Sequence, residues 1–135
     1  SVLMLGAGVA GRAVGFGLAK AGARSLWIAN RDIAKAAALA TDIQSAYKDC
    51  SLQSGPDHGN HFDLIVNTTS LGMAEQDELP LDLTGISSDT IISDIIVNPP
   101  MTRWLELAQA KGCRIINGVP MLDSQMVLAC KHMGI

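Results

Sequence analysis

A glycine-rich turn, Gly6-Ala7-Gly8-Val9-Ala10-Gly11, follows directly on the apolar run Val2-Leu3-Met4-Leu5. A short, wholly apolar run that ends in glycine reads as a strand buried on both faces of a parallel sheet. The GxGxxG spacing then has to open a helix. In such a unit the first glycine permits the tight turn, the second lets backbone approach a pyrophosphate, and the third lets helix and strand pack closely. The helix N-terminus adds unpaired N–H groups and the positive end of its dipole, so Gly6, Ala7, Gly8, Val9 and Ala10 are candidate diphosphate-binding positions. The pattern alone is weak in a chain with 13 glycines. The preceding strand and following helix give it weight. A strand-to-helix turn with no ligand is the alternative.

The rest of the chain continues the alternation. The first helix is predicted over residues 10–21, with Gly22 as its stop. Residues 25–29 (SLWIA) form a second buried strand, and Asp32 caps a helix over residues 33–47. A polar stretch from Lys48 to His61 holds a short third strand near Ser51-Leu52-Gln53. A fourth strand covers residues 63–67, and a turn-rich segment with one helical turn around Leu83 leads to a fifth at residues 90–95. Thr102 caps a helix ending near Lys111, Gly112 closes it, residues 113–116 form a sixth strand and residues 119–133 a last helix. Two halves of βαβ type imply an α/β, doubly wound, Rossmann-type six-stranded, mostly parallel sheet with helices on both faces. Ligands of such sheets bind beyond the carboxyl ends of the strands, where the strand order reverses.

Composition narrows the function classes. The chain has 135 residues, 48% of them hydrophobic and 17% charged, the profile of one globular domain. Its net charge of −3, with no basic block, argues against nucleic acid as a partner. Cys50, Cys113 and Cys130 are odd in number and widely spaced, and His58, His61 and His132 do not join them in a metal-ligand spacing, so no metal is expected. Buried thiols are the expectation. No signal peptide or membrane-length apolar run is evident, which makes a cytoplasmic protein the default expectation. The opening Ser1-Val2-Leu3 lies inside a predicted strand, as in a domain cut from a longer protein.

The tip of the second strand bears on the choice of dinucleotide. An acidic residue there accepts hydrogen bonds from the ribose hydroxyls of NAD. This chain has Asn30 and then Arg31. A guanidinium can pair with a 2′-phosphate in bidentate fashion and lie over an adenine, and an asparagine amide can donate to the same phosphate. NADP is therefore the expected cofactor, with NAD possible. Asp32 opposes a phosphate unless its carboxylate is engaged in capping the next helix. An ordinary turn with a cap is the alternative for all three residues.

Five segments in order then resemble the shikimate dehydrogenase family, which includes quinate dehydrogenases. They are LGAGVAGRA at residues 5–13, Asn30-Arg31-Asp32, Asn67-Thr68-Thr69-Ser70-Leu71-Gly72-Met73, Asp94-Ile95-Ile96-Val97-Asn98-Pro99-Pro100 with Thr102, and Gly118-Val119-Pro120-Met121-Leu122 with Gln125. The resemblance implies a C-terminal NADP-binding domain over residues 1–135, preceded by an N-terminal substrate domain that this sequence lacks. It implies reduction of 3-dehydroshikimate to shikimate with NADPH, hence a small hydroxy- or keto-cyclohexene carboxylate as substrate. It places Thr68, Thr69 and Ser70 on the nicotinamide side, Gly118 beside the ring, and Gln125 on the substrate hydroxyls.

In the resembled family a lysine and an aspartate of the N-terminal domain do the acid–base work, so no catalytic residue is assigned in this chain. Loop hydrogen bonding is the alternative role for the three hydroxyl residues, and a surface helix position for Gln125. Asp94 reads as a strand-tip carboxylate orienting the Asn98 loop. Met73, Met121, Trp27 and Trp104 read as packing residues. Three positions depart from the family. Asp32 replaces threonine, Val97 stands where tyrosine is usual near the substrate, and Pro120 replaces the second glycine of GxGM. These departures point toward a divergent paralogue. A non-catalytic NAD(P)-binding or sensing module is the other reading.

Overall fold

The computed structural model describes residues 1–56 and 59–119. Gln125, Pro120, Met121, Cys130, His58, His132 and the predicted last helix therefore lie outside the described residues, apart from its first position, Val119. Nine elements follow in chain order. They are β1 (Val2–Leu5), α1 (Val9–Lys20), β2 (Ser25–Ala29), α2 (Ile33–Ala46), β3 (Ser51–Ser54), β4 (Leu64–Asn67), β5 (Ile91–Asp94), α3 (Arg103–Ala110) and β6 (Ile115–Ile116). The strands form one six-stranded sheet in the order β3-β2-β1-β4-β5-β6, and every pair is parallel.

That order follows from chain direction. The β1–α1–β2–α2–β3 crossovers run outward from β1 on one side, and the chain then returns to place β4 on the other side of β1. Crossovers of one hand that run in opposite directions put their helices on opposite faces. Accordingly Val14 and Leu18 of α1 and Leu39 and Ile43 of α2 share a core with Met4, Ile28 and Val66. Trp104 and Leu105 of α3 pack on the other face with Leu3, Ile65 and Ile92. Alternate strand residues feed the two cores, as a period of two requires, and β1, β4 and β5 are buried at every position.

Local chemistry sets the helix ends. Asp32 caps α2 by accepting from the Lys35 N–H, and Thr102 caps α3 by accepting from that of Leu105. Gly22 and Gly112 stand just beyond the C-caps of α1 and α3 at φ +100° and +97°. Gly15, inside α1, admits Ile43 so closely that a Cβ would lie 2.8 Å from its Cδ1. Sheet-side packing thus explains that helix glycine.

Several expectations need correction. β1 and β2 have the predicted bounds, and the ends of the other elements fall within one or two residues of those predicted. The helical turn expected around Leu83 is not formed. The segment is irregular from Thr68 to Thr90, and Leu83 is buried through a turn, with Leu79, Leu81 and Ile86 packed beside it. Apolar side chains on a loop cover the sheet face that a helix would otherwise cover. Met73 does not pack, being 60% exposed. Trp104 is buried and donates its Nε1–H to the Leu81 carbonyl. Cys50 and Cys113 are both buried free thiols, each with its pKa raised by burial.

Candidate cofactor cleft at the carboxyl ends of β1, β2 and β4

The strand order reverses between β1 and β4, and the turn after β1 stands at that point. Gly6 takes φ +107° and donates its N–H to the Ala29 carbonyl at 2.8 Å, tying the turn to the end of β2. A Cβ on Gly6 would lie 2.5 Å from Thr68 Oγ1, and one on Gly11 would lie 2.7 Å from the Gly6 carbonyl oxygen. Those two glycines are demanded by packing between loop, helix and β4. Gly8 differs: its φ is −83°, and an added Cβ would have nothing within 4 Å. It is exposed, as is Val9 at 92%, while Ala7 and Ala10 are half-buried. The start of α1 has no side-chain cap and no acidic residue in its first turn, whereas α2 and α3 are both capped by side chains. Its orphan N–H groups and partial positive charge therefore face open space.

Beside this mouth lies a cleft of about 690 Å³. Leu5 and Gly6 form its β1 side, Ala29, Asn30, Arg31 and Ile33 its β2 side, and Thr69, Ser70 and Leu71 its β4 side. Gly55 and Pro56 close one end and Pro80 and Leu81 another. Trp27 fixes the Gly55 wall by donating its Nε1–H to the Gly55 carbonyl at 2.9 Å. The walls at residues 55–56 and 80–81 were missed from the sequence, because nothing local marks a loop residue as facing a site made by distant segments.

Arg31 is exposed on the cleft, and its guanidinium makes no hydrogen bond or ion pair among the described residues. Asn30 donates from Nδ2 to the Asp32 carbonyl at 3.0 Å, which uses one of its two amide hydrogens. The Asp32 carboxylate is engaged as the α2 cap, accepting from Lys35 N at 3.2 Å.

The residues after β4 divide by direction. Thr68 is 7% exposed and donates its hydroxyl to the Leu5 carbonyl at 2.7 Å. The Thr68 hydroxyl thus joins β4 to β1 and fills the space beside Gly6, which is the loop-bonding alternative. Thr69 and Ser70 line the cleft. Thr69 Oγ1 donates to Asn67 Oδ1 at 2.6 Å and accepts from the Leu71 N–H at 3.1 Å. Gly118 is buried, and any Cβ there would collide with the carbonyl oxygens of Ile95 and Ile96. It holds a close backbone approach next to the end of β5. Asp94 does not bond Asn98. It binds the Ile96 N–H and the Thr102 hydroxyl, on either side of that loop.

Among the described residues no group of three or more His, Cys, Asp or Glu side chains could hold a metal ion, and no helix is long and apolar enough to cross a membrane.

The sequence profile of the shikimate / quinate 5-dehydrogenase family matches residues 1–76, more than half of the chain. The chain belongs to this family. A shikimate dehydrogenase (NADP(+)) of Carboxydothermus hydrogenoformans is 44% identical over 138 residues, covering 95% of this chain and 47% of the relative. The chain thus spans about half the length of the curated relatives it matches. Among solved structures, quinate dehydrogenase from Corynebacterium glutamicum in complex with NAD aligns with a TM-score of 0.82 at 28% identity, covering 99% of this chain and 50% of that one. Shikimate 5-dehydrogenase from Thermus thermophilus, in complex with NADP(H) and shikimate, aligns with a TM-score of 0.77 at 33% identity, covering 99% of this chain and 49% of that one.

Proposed function

We propose that this family member is the NADP(H)-binding domain of an oxidoreductase that reduces 3-dehydroshikimate to shikimate, with the substrate and the acid–base pair held by a further, N-terminal domain. The observation that carries the reading is the pairing of an uncapped helix mouth at Gly8 with the neighbouring cleft, on which Arg31 presents a guanidinium that has no partner among the described residues. The first suits a diphosphate and the second suits the 2′-phosphate that separates NADP from NAD. Similarity to the NADP(+)-dependent relative and to the NADP(H) complex supports the same choice.

In this reading the N–H groups from Ala7 to Ala10 face the diphosphate, with Gly6 and Gly8 allowing the approach. Arg31 takes the 2′-phosphate, helped by the second amide hydrogen of Asn30. Thr69 and Ser70 line the nicotinamide side with their backbone and hydroxyl groups, and Thr68 supports them from within. Gly118 leaves room beside the ring, and Gln125 contacts substrate hydroxyls. The bound nicotinamide supplies the hydride; the chain orients it and keeps one face of the cleft closed.

The test is a titration of the chain with NADP(H) and NAD, in parallel with Arg31→Ala. Charge-assisted hydrogen bonds contribute about 1.5–3 kcal/mol, so the variant is expected to lose roughly 10- to 150-fold in NADP(H) affinity. NAD affinity should change by less than about 3-fold, since that ligand lacks the phosphate. Equal losses for both, or none, refute the assignment. A second reading, a divergent shikimate/quinate dehydrogenase that uses NAD, is favoured by Asp32, whose carboxylate adds negative charge beside Arg31, and by the likeness to the NAD complex of a quinate dehydrogenase. It predicts tighter NAD than NADP(H) binding in the same titration.

A further inference from the structure

Asp94 ends β5 opposite Asn67 in the β4–β5 register, and both are 0% exposed. Its carboxylate is paired with no cation among the described residues. It accepts three hydrogen bonds: at Oδ1 from Asn67 Nδ2 (3.2 Å) and from the Ile96 N–H (3.1 Å), and at Oδ2 from the Thr102 hydroxyl (3.0 Å). Asn67 in turn donates from Nδ2 to the Leu71 carbonyl, while its Oδ1 accepts from both the N–H and the hydroxyl of Thr69. All four hydrogen-bonding directions of the Asn67 amide are thus filled. A carboxylate is an acceptor only, so with the Leu71 carbonyl and the Thr69 N–H it fixes which end of that amide faces β5 and which faces Thr69, and it is the one of the three that ties the amide to the sheet.

We propose that Asp94 is a positioning residue: by fixing the orientation of the Asn67 amide it sets the Thr69–Ser70–Leu71 rim of the cleft. This inference rests on the cofactor reading only for its effect on binding. The rim geometry itself is a property of the free chain. Removing the carboxylate leaves one Asn67 Nδ2 hydrogen and the Ile96 N–H without their acceptor, so the amide loses its anchor on β5 and keeps only its bonds to the rim itself. An Asn67 amide tied only to Leu71 and Thr69 no longer holds those residues to the sheet, and the rim shifts with it. Asp94→Asn avoids this. Its Oδ1 can still accept from Asn67 and Ile96, and the loss falls on Thr102, whose buried hydroxyl hydrogen has its carboxylate acceptor replaced by an NH2 group.

The test compares wild type, Asp94→Ala and Asp94→Asn as the full chain, by amide NMR in the free state and by NADP(H) titration. In Asp94→Ala the Thr69, Ser70 and Leu71 resonances should shift and NADP(H) affinity should fall about 10-fold or more, the loss of at least one well-placed hydrogen bond. In Asp94→Asn both should stay near wild type. Unmoved rim resonances in a folded Asp94→Ala, or equal damage in both variants, overturn the proposal. Should Asp94→Ala not fold, the wild type decides, because the Asn67 side-chain amide protons must exchange slowly with water; rapid exchange overturns the proposal. A wild type that binds neither NADP(H) nor NAD refutes the cofactor reading, and the rim resonances then judge Asp94 alone.

Discussion

The turn after β1 contains two glycines whose substitution by alanine should have opposite consequences. At Gly6 the backbone φ is +107° and a Cβ would sit 2.5 Å from Thr68 Oγ1 and 3.0 Å from Thr69 Cγ2. Backbone strain of about 1–3 kcal/mol adds to an overpacking penalty of about 1–3 kcal/mol. Gly6→Ala should therefore lose at least ~2 kcal/mol, or roughly 8 °C in Tm for a domain of this size. At Gly8, with φ −83° and nothing within 4 Å, alanine is accommodated without strain. It also restricts the unfolded chain, so Gly8→Ala should leave stability unchanged or raise it by about 0.4–1 kcal/mol. Its methyl group would nonetheless stand where the proposed function has the diphosphate approach. An intrusion of that kind costs about 1–3 kcal/mol, which is roughly a 5- to 150-fold loss of NADP(H) affinity. Thermal melts and NADPH fluorescence titrations of the two variants measure both effects. A Gly8→Ala protein that binds NADPH like wild type would refute the placement of the diphosphate. A Gly6→Ala protein that melts like wild type would refute the packing argument.

Asp32→Thr keeps a capping oxygen for α2 but removes the charge beside Arg31; NADP(H) affinity should rise about 2- to 5-fold relative to NAD, with stability within ~0.5 kcal/mol of wild type. An unchanged cofactor ratio would show that the carboxylate does not reach the phosphate. Burial raises the Asp94 pKa above the ordinary aspartate value, outweighing the three hydrogen bonds that lower it. A carboxyl raised on folding stabilises the native state fully below its unfolded pKa and loses that contribution as pH rises through the folded pKa. Urea denaturation across that window should show wild type losing stability relative to Asp94→Asn as pH increases, and a pH-independent difference between the two would contradict the burial argument.

What could be read along the chain was local. Apolar runs located β1, β2, β4, β5 and β6, because strands covered on both faces are built mainly from apolar residues, whereas β3 (SLQS, half-exposed) lay in a polar stretch and had no such run to mark it. Asp32, Thr102, Gly22 and Gly112 marked helix ends, because a capping oxygen or a left-handed glycine acts within three or four residues of its position. The spacing of Gly6, Gly8 and Gly11 announced a turn of this shape, and alternating strands and helices implied a doubly wound parallel sheet. The sequence could not say which of those glycines faces a neighbour and which faces open space. Gly6 and Gly11 are pressed against each other and against Thr68, 57 or more positions away, while Gly8 is bare. Nor could it say that the Thr68 hydroxyl turns inward to Leu5 while Thr69 and Ser70 line the cleft, or that Pro56 and Leu81 wall it. Those facts depend on which strands become neighbours across the sheet. Contacts between segments distant along the chain exist only once the sheet has assembled, and no periodicity in a single segment records them.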